Sequence, residues 1–110
     1  QGNYDTFVCS WNVLLDPDDF FYAQHKTGEV FNFTGYSNPT VDELLEEGRV
    51  AEDFDARYEI YADLQRVLAC DGPVQHVAYA TLFTGVRENV SGFQQMPTRG
   101  MRYLRETTLD

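Results

Sequence analysis

Apolar residues follow two different periods along this chain, and the changes between them mark its predicted elements. Tyr4-Asp5-Thr6-Phe7-Val8-Cys9-Ser10-Trp11 is β-branched and aromatic with near-alternation, which predicts a strand that stops at an acidic loop. Residues 17–36 carry Phe20, Phe21, Tyr22, Phe31, Phe33 and Tyr36 around Gly28 and Gly35 without any period. They predict a short helical turn after Pro17 and then an irregular loop held down by aromatic packing.

A helix start is marked twice in Ser37-Asn38-Pro39-Thr40-Val41-Asp42-Glu43. Thr40 with Glu43 makes a capping box, and Asn38 followed by Pro39 is an alternative, earlier start. Val41, Leu44 and Leu45 then share one side of the helix, opposite Asp42, Glu43, Glu46 and Glu47. After Gly48 the polar stretch Glu52-Asp53-Phe54-Asp55 leads into a second helix, from Ala56 to about Cys70. In it Ile60, Tyr61, Leu64, Val67 and Leu68 recur at i, i+3, i+4, i+7 and i+8, the amphipathic pattern of a helix laid on a sheet. Gly72-Pro73 ends this helix, because Gly accepts the left-handed cap and Pro cannot continue.

From Val74 the period returns to two. Val74, His76 and Ala78 alternate with Gln75, Val77 and Tyr79, and Ala80 to Val86 extends the run. Asn89-Val90-Ser91-Gly92-Phe93 reads as a turn and short strand, and the tail from Met96 to Asp110 as a closing strand. Strand, loop, helix, helix, strand, strand is an α/β order: two helices packed on a small mixed sheet.

At 110 residues the chain fits one domain, able to bury roughly two-thirds of its extended surface. A hydrophobic share of 43% with 15% aromatics makes it globular and not disordered. The formal charge of −10 repels phosphate backbones, which excludes nucleic acid as a partner and points to a solvated acidic surface. Seven of the eight bases are Arg, with Lys26 the exception, a bias equally consistent with a salt-rich habitat and with codon composition. No apolar run reaches the ~20 residues of a membrane-spanning helix. No signal peptide opens the chain, and Gln1-Gly2-Asn3-Tyr4-Asp5 reads as a cut inside a longer protein. Cys9 and Cys70 are open to two readings, a disulfide in an oxidising compartment or two buried thiols.

The densest chemistry lies in Cys9-Ser10-Trp11-Asn12-Val13-Leu14-Leu15-Asp16-Pro17-Asp18-Asp19. Calcium would recruit such carboxylates, but a calcium loop wants a further ligand where Phe20 stands, then a Gly, then a closing Glu, and all three are missing. Asp16 before Pro17 is a good N-cap with Pro at the first helical position, so the acids read as a helix start. His25 and His76 lack a partner at zinc-ligand spacing, and His76 in a strand pattern predicts a packed, half-buried residue. Ser10 and Cys9 sit in no nucleophile elbow, and no Gly-rich phosphate loop occurs. Trp11, at a strand end before an irregular loop, is either core or the flat apolar wall of a ligand site.

Laid end to end, the landmarks resemble the C-terminal segment of the family 5 extracellular solute-binding proteins, the receptors of dipeptide, oligopeptide and nickel ABC importers. The resemblance runs through Tyr4-Asp5 with Trp11, Asp16-Pro17-Asp18 and its aromatic run, and Asn32 with Gly35-Tyr36-Ser37-Asn38-Pro39-Thr40-Val41-Asp42-Glu43-Leu44-Leu45. It continues in Arg57 with Tyr61, Leu64-Gln65, Asp71-Gly72-Pro73-Val74, and Val86-Arg87-Glu88-Asn89-Val90-Ser91-Gly92-Phe93.

The resemblance implies part of the C-terminal portion of a two-lobe, type II periplasmic-binding-protein fold, with residues 1–110 as a single piece of it. It also implies a periplasmic or extracellular receptor, a lipoprotein in many such systems, with a small solute and the ABC permease subunits as partners and with no catalytic residue, metal or cofactor. The ligand neighbours it implies are Trp11, Asn12, Val13 and Leu14. Where the family's best-known peptide receptors place an Asp in that loop, Asn12-Val13-Leu14-Leu15 offers no counter-charge to a peptide amino terminus.

Two other classes compete. One is a freestanding acidic α/β module binding a basic partner, which a genuine 110-residue gene would favour. The other is an enzyme, which turnover abolished by Asp16→Asn or Asp18→Asn would establish.

Overall fold

The computed structural model describes residues 3–11, 15–79 and 81–109. These fall into two compact units: residues 3–10 with 15–75, and Trp11 with the residues from His76 onward.

The first unit holds three helices, α1 (Pro17–His25), α2 (Pro39–Val50) and α3 (Phe54–Asp71). Each begins where the side-chain chemistry dictates. Asp16 accepts from the Asp18 N–H and stands before Pro17 at the head of α1, so the expected short turn is in fact nine residues of helix. At α2 the earlier of the two possible starts is used: Asn38 accepts from the Thr40 N–H at 2.9 Å, with Pro39 in the first turn. Asp53 caps α3 through the Ala56 N–H at 2.8 Å, which starts that helix at Phe54. It ends at Gly72, in the left-handed conformation (φ 63°) expected of it.

The apolar stripes of α2 and α3 meet each other. Val41 and Leu45 from α2 and Tyr61, Leu64 and Leu68 from α3 form the buried cluster, with Phe21, Tyr22, Tyr36, Leu44 and Val67 packed against it. Val41, Leu45 and Leu64 are wholly enclosed, and each such side chain stabilises the fold by roughly 1.5–3 kcal/mol. This corrects the expectation of two helices laid on a mixed sheet. Among the described residues there are three α-helices, and the buried faces of α2 and α3 cover one another.

The second unit contains β1 (Val90–Ser91), a 3-10 helix (Arg102–Glu106) and β2 (Thr108–Leu109). The strands pair antiparallel, Val90 with Leu109 and Ser91 with Thr108, so the short strand after Asn89 forms, while of the closing strand expected over residues 96–110 only Thr108–Leu109 does. The chain is α/β, with a two-stranded antiparallel sheet where a mixed one was expected.

Two predicted strands do not form. Residues 4–11 and the described part of 74–86 take no regular secondary structure and join no ladder, and Ala80 lies outside the described residues. Alternation makes a segment fit for a pleat, but a strand exists only when a neighbour accepts its N–H and C=O groups. Residues 4–9 instead lean on the loop before α2. Tyr4, Phe7, Phe33 and Phe31 meet edge to face at centroid separations of 4.9, 5.6 and 6.0 Å, and the Tyr4 hydroxyl donates to the Phe33 carbonyl at 2.6 Å.

Asn32 organises that loop. Its amide donates to the carbonyls of Lys26 and Tyr36 and its oxygen accepts from the Tyr36 N–H, so the turn closes on one side chain. The loop is tied to α2 where the Thr27 N–H donates to Asp42 at 2.8 Å.

Candidate functional site

The acids after Leu15 are engaged by the fold. Asp16 caps α1 and also receives a fork from Arg57, whose Nη2 and Nη1 donate to its two carboxylate oxygens at 2.7 and 3.1 Å. The Arg57 hydrogen bonds, reinforced by the Asp18 N–H, hold the Asp16 carboxyl below its ordinary range. Arg57 spends a third donor, Nε, on the Gly48 carbonyl at 2.9 Å, and its guanidinium carbon lies 5.2 Å from the centre of the Tyr61 ring. One side chain of α3 thus holds the head of α1 and the final turn of α2 together.

Asp18 is occupied in the same way. Arg49 Nε donates to both its oxygens at 2.9 and 3.0 Å, and the Arg49 guanidinium carbon lies over the Tyr22 ring, 3.4 Å from its centre and within cation–π range. The Tyr22 hydroxyl donates to Glu46 at 2.9 Å, and Glu46 pairs with Lys26 at the same distance. An open groove of about 300 Å³ runs beside this network, lined by Asp18, Asp19, Tyr22, Ala23, Glu29 and Arg49. Its one cation, Arg49, is already committed to Asp18 and Tyr22.

The groups needed for nucleophilic or metal chemistry do not converge among the described residues. No three His, Cys, Asp or Glu side chains are arranged there to hold a metal ion. His25 is buried at the end of α1, with Nδ1 3.1 Å from the Phe21 carbonyl. His76, expected half-buried, is instead exposed and stacked on Tyr79, because the strand meant to shelter it has no neighbour. Cys9 and Cys70 are both free and both exposed, which corrects the reading of buried thiols.

Of the four residues singled out as ligand neighbours, Trp11 is described and Asn12, Val13 and Leu14 lie outside the described residues. Trp11 keeps 37% of its surface open to solvent. That leaves apolar area available for a further contact while the side chain keeps interactions with the protein.

Sequence reasoning missed the role of Arg57 and Arg49 as partners of Asp16 and Asp18. These pairs join residues 41 and 31 positions apart, where no local spacing rule operates. The available signal was compositional: adjacent acids at a helix head, in a chain with only eight bases, call for Arg from another helix.

Against known proteins, the chain is 29% identical over 101 residues to the probable di/tripeptide-binding protein 5 of Pseudomonas aeruginosa, a match covering 88% of this chain and 19% of that protein. It is 26% identical over 97 residues to the dipeptide-binding protein of Escherichia coli, covering 84% of this chain and 18% of that one. Four of its relatives are named di/tripeptide- or dipeptide-binding proteins.

These matches bear out the resemblance drawn from the Asp16-Pro17-Asp18 and Gly35–Leu45 phrases. A further relative, protein XP55 of Streptomyces lividans, is 35% identical over 71 residues, covering 61% of this chain and 13% of that protein. The chain thus spans less than a fifth of the length of the peptide-binding relatives it matches. No protein-family model matches the chain. No solved structure matches it either.

Proposed function

We propose that the chain is the C-terminal segment of a ligand-binding receptor that delivers peptides or similar small solutes to an ABC importer, and that it binds without catalysing. The observation that carries this reading is the match to di- and tripeptide-binding proteins over more than four-fifths of the chain. The side-chain chemistry agrees with it, since Asp16 and Asp18, the acids on which the competing enzyme reading depends, are tied to Arg57 and Arg49.

In this reading the receptor is periplasmic or extracellular, held at the membrane through parts of the protein other than these helices. None of the described helices is long and apolar enough to cross a bilayer. Its partners are the solute and the permease subunits.

Trp11, Asn12, Val13 and Leu14 are the residues this reading assigns to contact with the solute. An aromatic face loses little rotamer entropy on binding, and the Trp11 indole keeps surface free for the contact. Because Asn12-Val13-Leu14-Leu15 contains no acid, this stretch recognises the apolar body of the ligand and supplies no carboxylate to an ammonium group.

Delivery follows from differential affinity: solute that binds the closed receptor more tightly than the open one shifts the population toward the form the permease accepts. A thermal-shift screen of the full-length polypeptide tests this assignment. Dipeptides and tripeptides, each free and N-acetylated, should include ligands that raise the melting midpoint by mass action. A midpoint unmoved by every peptide and moved by sugars or metal chelates would replace the peptide assignment.

A further inference from the structure

Beside the stripe that builds the core, α3 carries a second one. Phe54, Tyr58, Ala62, Gln65 and Ala69 recur at i, i+4, i+8, i+11 and i+15, along the flank of the helix next to Tyr61 and Leu68. Phe54 is 79% and Tyr58 64% exposed, and neither joins the buried cluster or the side chains packed against it. The two rings stand one helical turn apart, so they make a single aromatic ledge at the head of α3. Val50, at the end of α2 and four residues before Phe54, adds a side chain 76% exposed where the chain turns into α3. One exposed apolar residue needs no explanation, but neighbouring rings rimmed by polar groups mark a contact surface.

The charge around the ledge has one sign. From Val50 to Asp63 the acids are Glu52, Asp53, Asp55, Glu59 and Asp63, and the single base, Arg57, is spent on Asp16 and the Gly48 carbonyl. Asp55 and Glu59 follow Phe54 and Tyr58 by one residue each, which sets them on the side of the stripe away from the core. Arg66, the next base along the helix, pairs with Asp63.

We propose that Phe54 and Tyr58, rimmed by these acids, are a docking surface for a separate protein that offers a basic segment with an apolar centre. Aromatic anchors inside a charged rim are the composition of an interface between proteins, whereas the core of a fold excludes such a density of carboxylates. A covering surface without cations would leave Asp55 and Glu59 desolvated and unpaired, so the partner must bring Lys or Arg to them. The role of this surface does not depend on what the chain binds at Trp11.

The test uses the full-length polypeptide and three synthetic amphipathic helices, followed by fluorescence anisotropy. One has a leucine stripe flanked by lysines, one the same stripe flanked by glutamates, and one lysine flanks about a serine stripe. The lysine–leucine helix should bind at least about tenfold more tightly than either of the others. Phe54→Ser with Tyr58→Ser should weaken its binding by about tenfold or more, with the melting midpoint unmoved because both rings are exposed. Asp55→Asn with Glu59→Gln should weaken it severalfold and flatten its dependence on salt.

Equal binding of the lysine–serine helix, or unchanged affinity in the Phe54→Ser, Tyr58→Ser variant, would overturn the proposal by showing attraction to net charge alone. No binding to the wild type, beside a midpoint lowered by about 5 °C or more in that variant, would assign the ledge to the rest of the same polypeptide instead. Self-association of the wild type that the variant abolishes, seen by sedimentation, would assign it to a second copy and overturn the proposal equally.

Discussion

Gly48 in α2 faces the ring of Tyr61 in α3 so closely that a Cβ at Gly48 would lie 2.9 Å from two carbons of that ring. Both residues are buried, and Tyr61 retains only 4% of its surface. The glycine is thus a contact point that lets two helices approach, which explains a residue of poor helical propensity two positions before the end of α2.

The first prediction follows from that contact. Gly48→Ala would gain about 1 kcal/mol of helix propensity in an open helix. Here the added methyl must displace an enclosed ring, and overpacking costs about 1–3 kcal/mol. A net loss of stability should appear in urea denaturation, larger for Gly48→Val. A stabilised Gly48→Ala variant would show that the two helices have room between them.

Tyr36 gives a pH-dependent prediction. Its hydroxyl donates to Asp71 at 2.5 Å, and Asn38 donates to the same carboxylate oxygen at 2.8 Å. Burial, then the Asp71 carboxylate, push the Tyr36 hydroxyl up to about 12 from an ordinary value of 10.0. A folded-state value above the unfolded one stabilises fully below the unfolded value and is lost as pH rises through the folded value. The stabilisation from Tyr36 should therefore fade between about pH 10 and 12. On the acid side the same contacts hold Asp71 below its ordinary range, so its share is lost as pH falls through that lowered value. Urea midpoints followed across both limbs check this. Tyr36→Phe should flatten the alkaline limb without abolishing it, because Tyr22 and Tyr61 are shifted upward as well. An alkaline limb identical in wild type and variant would deny the Tyr36–Asp71 coupling.

The helical half of the fold was legible because its signals are local. Val41, Leu45, Leu64 and Leu68 sit where the three-and-four spacing puts them, and Asp16, Asn38 and Gly72 do what cap chemistry requires. The choice between Thr40 and Asn38 as the start of α2 was decided by which side chain reaches an orphan N–H. The strands at residues 4–11 and 74–86 were misread because alternation reports on side chains, whereas a ladder needs a second chain segment at the right distance. Only the short Val90–Leu109 and Ser91–Thr108 pairing supplies one among the described residues. Of the candidate site, Asn12, Val13 and Leu14 lie outside the described residues. Trp11 announced itself by composition, whereas the Asp16–Arg57 fork joins the head of α1 to α3 across 41 residues and has no signature in spacing.

Trp11 carries the third prediction. In the full-length polypeptide, Trp11→Ala should weaken solute binding by about 1–3 kcal/mol, the scale of a lost aromatic anchor. Trp11→Phe should recover part of that loss by restoring an aromatic face. Calorimetric titration of the three proteins decides it. Equal affinities would return Trp11 to an ordinary packing role.

A fourth prediction follows from the missing acid. With no carboxylate in Asn12-Val13-Leu14-Leu15 to meet an ammonium group, blocking the peptide amino terminus should cost little. An N-acetylated ligand should bind within about threefold of its free counterpart, a difference below about 1 kcal/mol. A loss of a hundredfold or more on acetylation would place a counter-charge for the amino terminus elsewhere in the cleft.

The most direct measurement of the central claim is a calorimetric titration of the folded full-length polypeptide with dipeptides and tripeptides. The receptor assignment predicts saturable one-to-one binding of at least one peptide, with no peptide consumed and the same peptide recovered on unfolding the protein. Hydrolysis or modification of the peptide, or no heat from any member of the series, would contradict it.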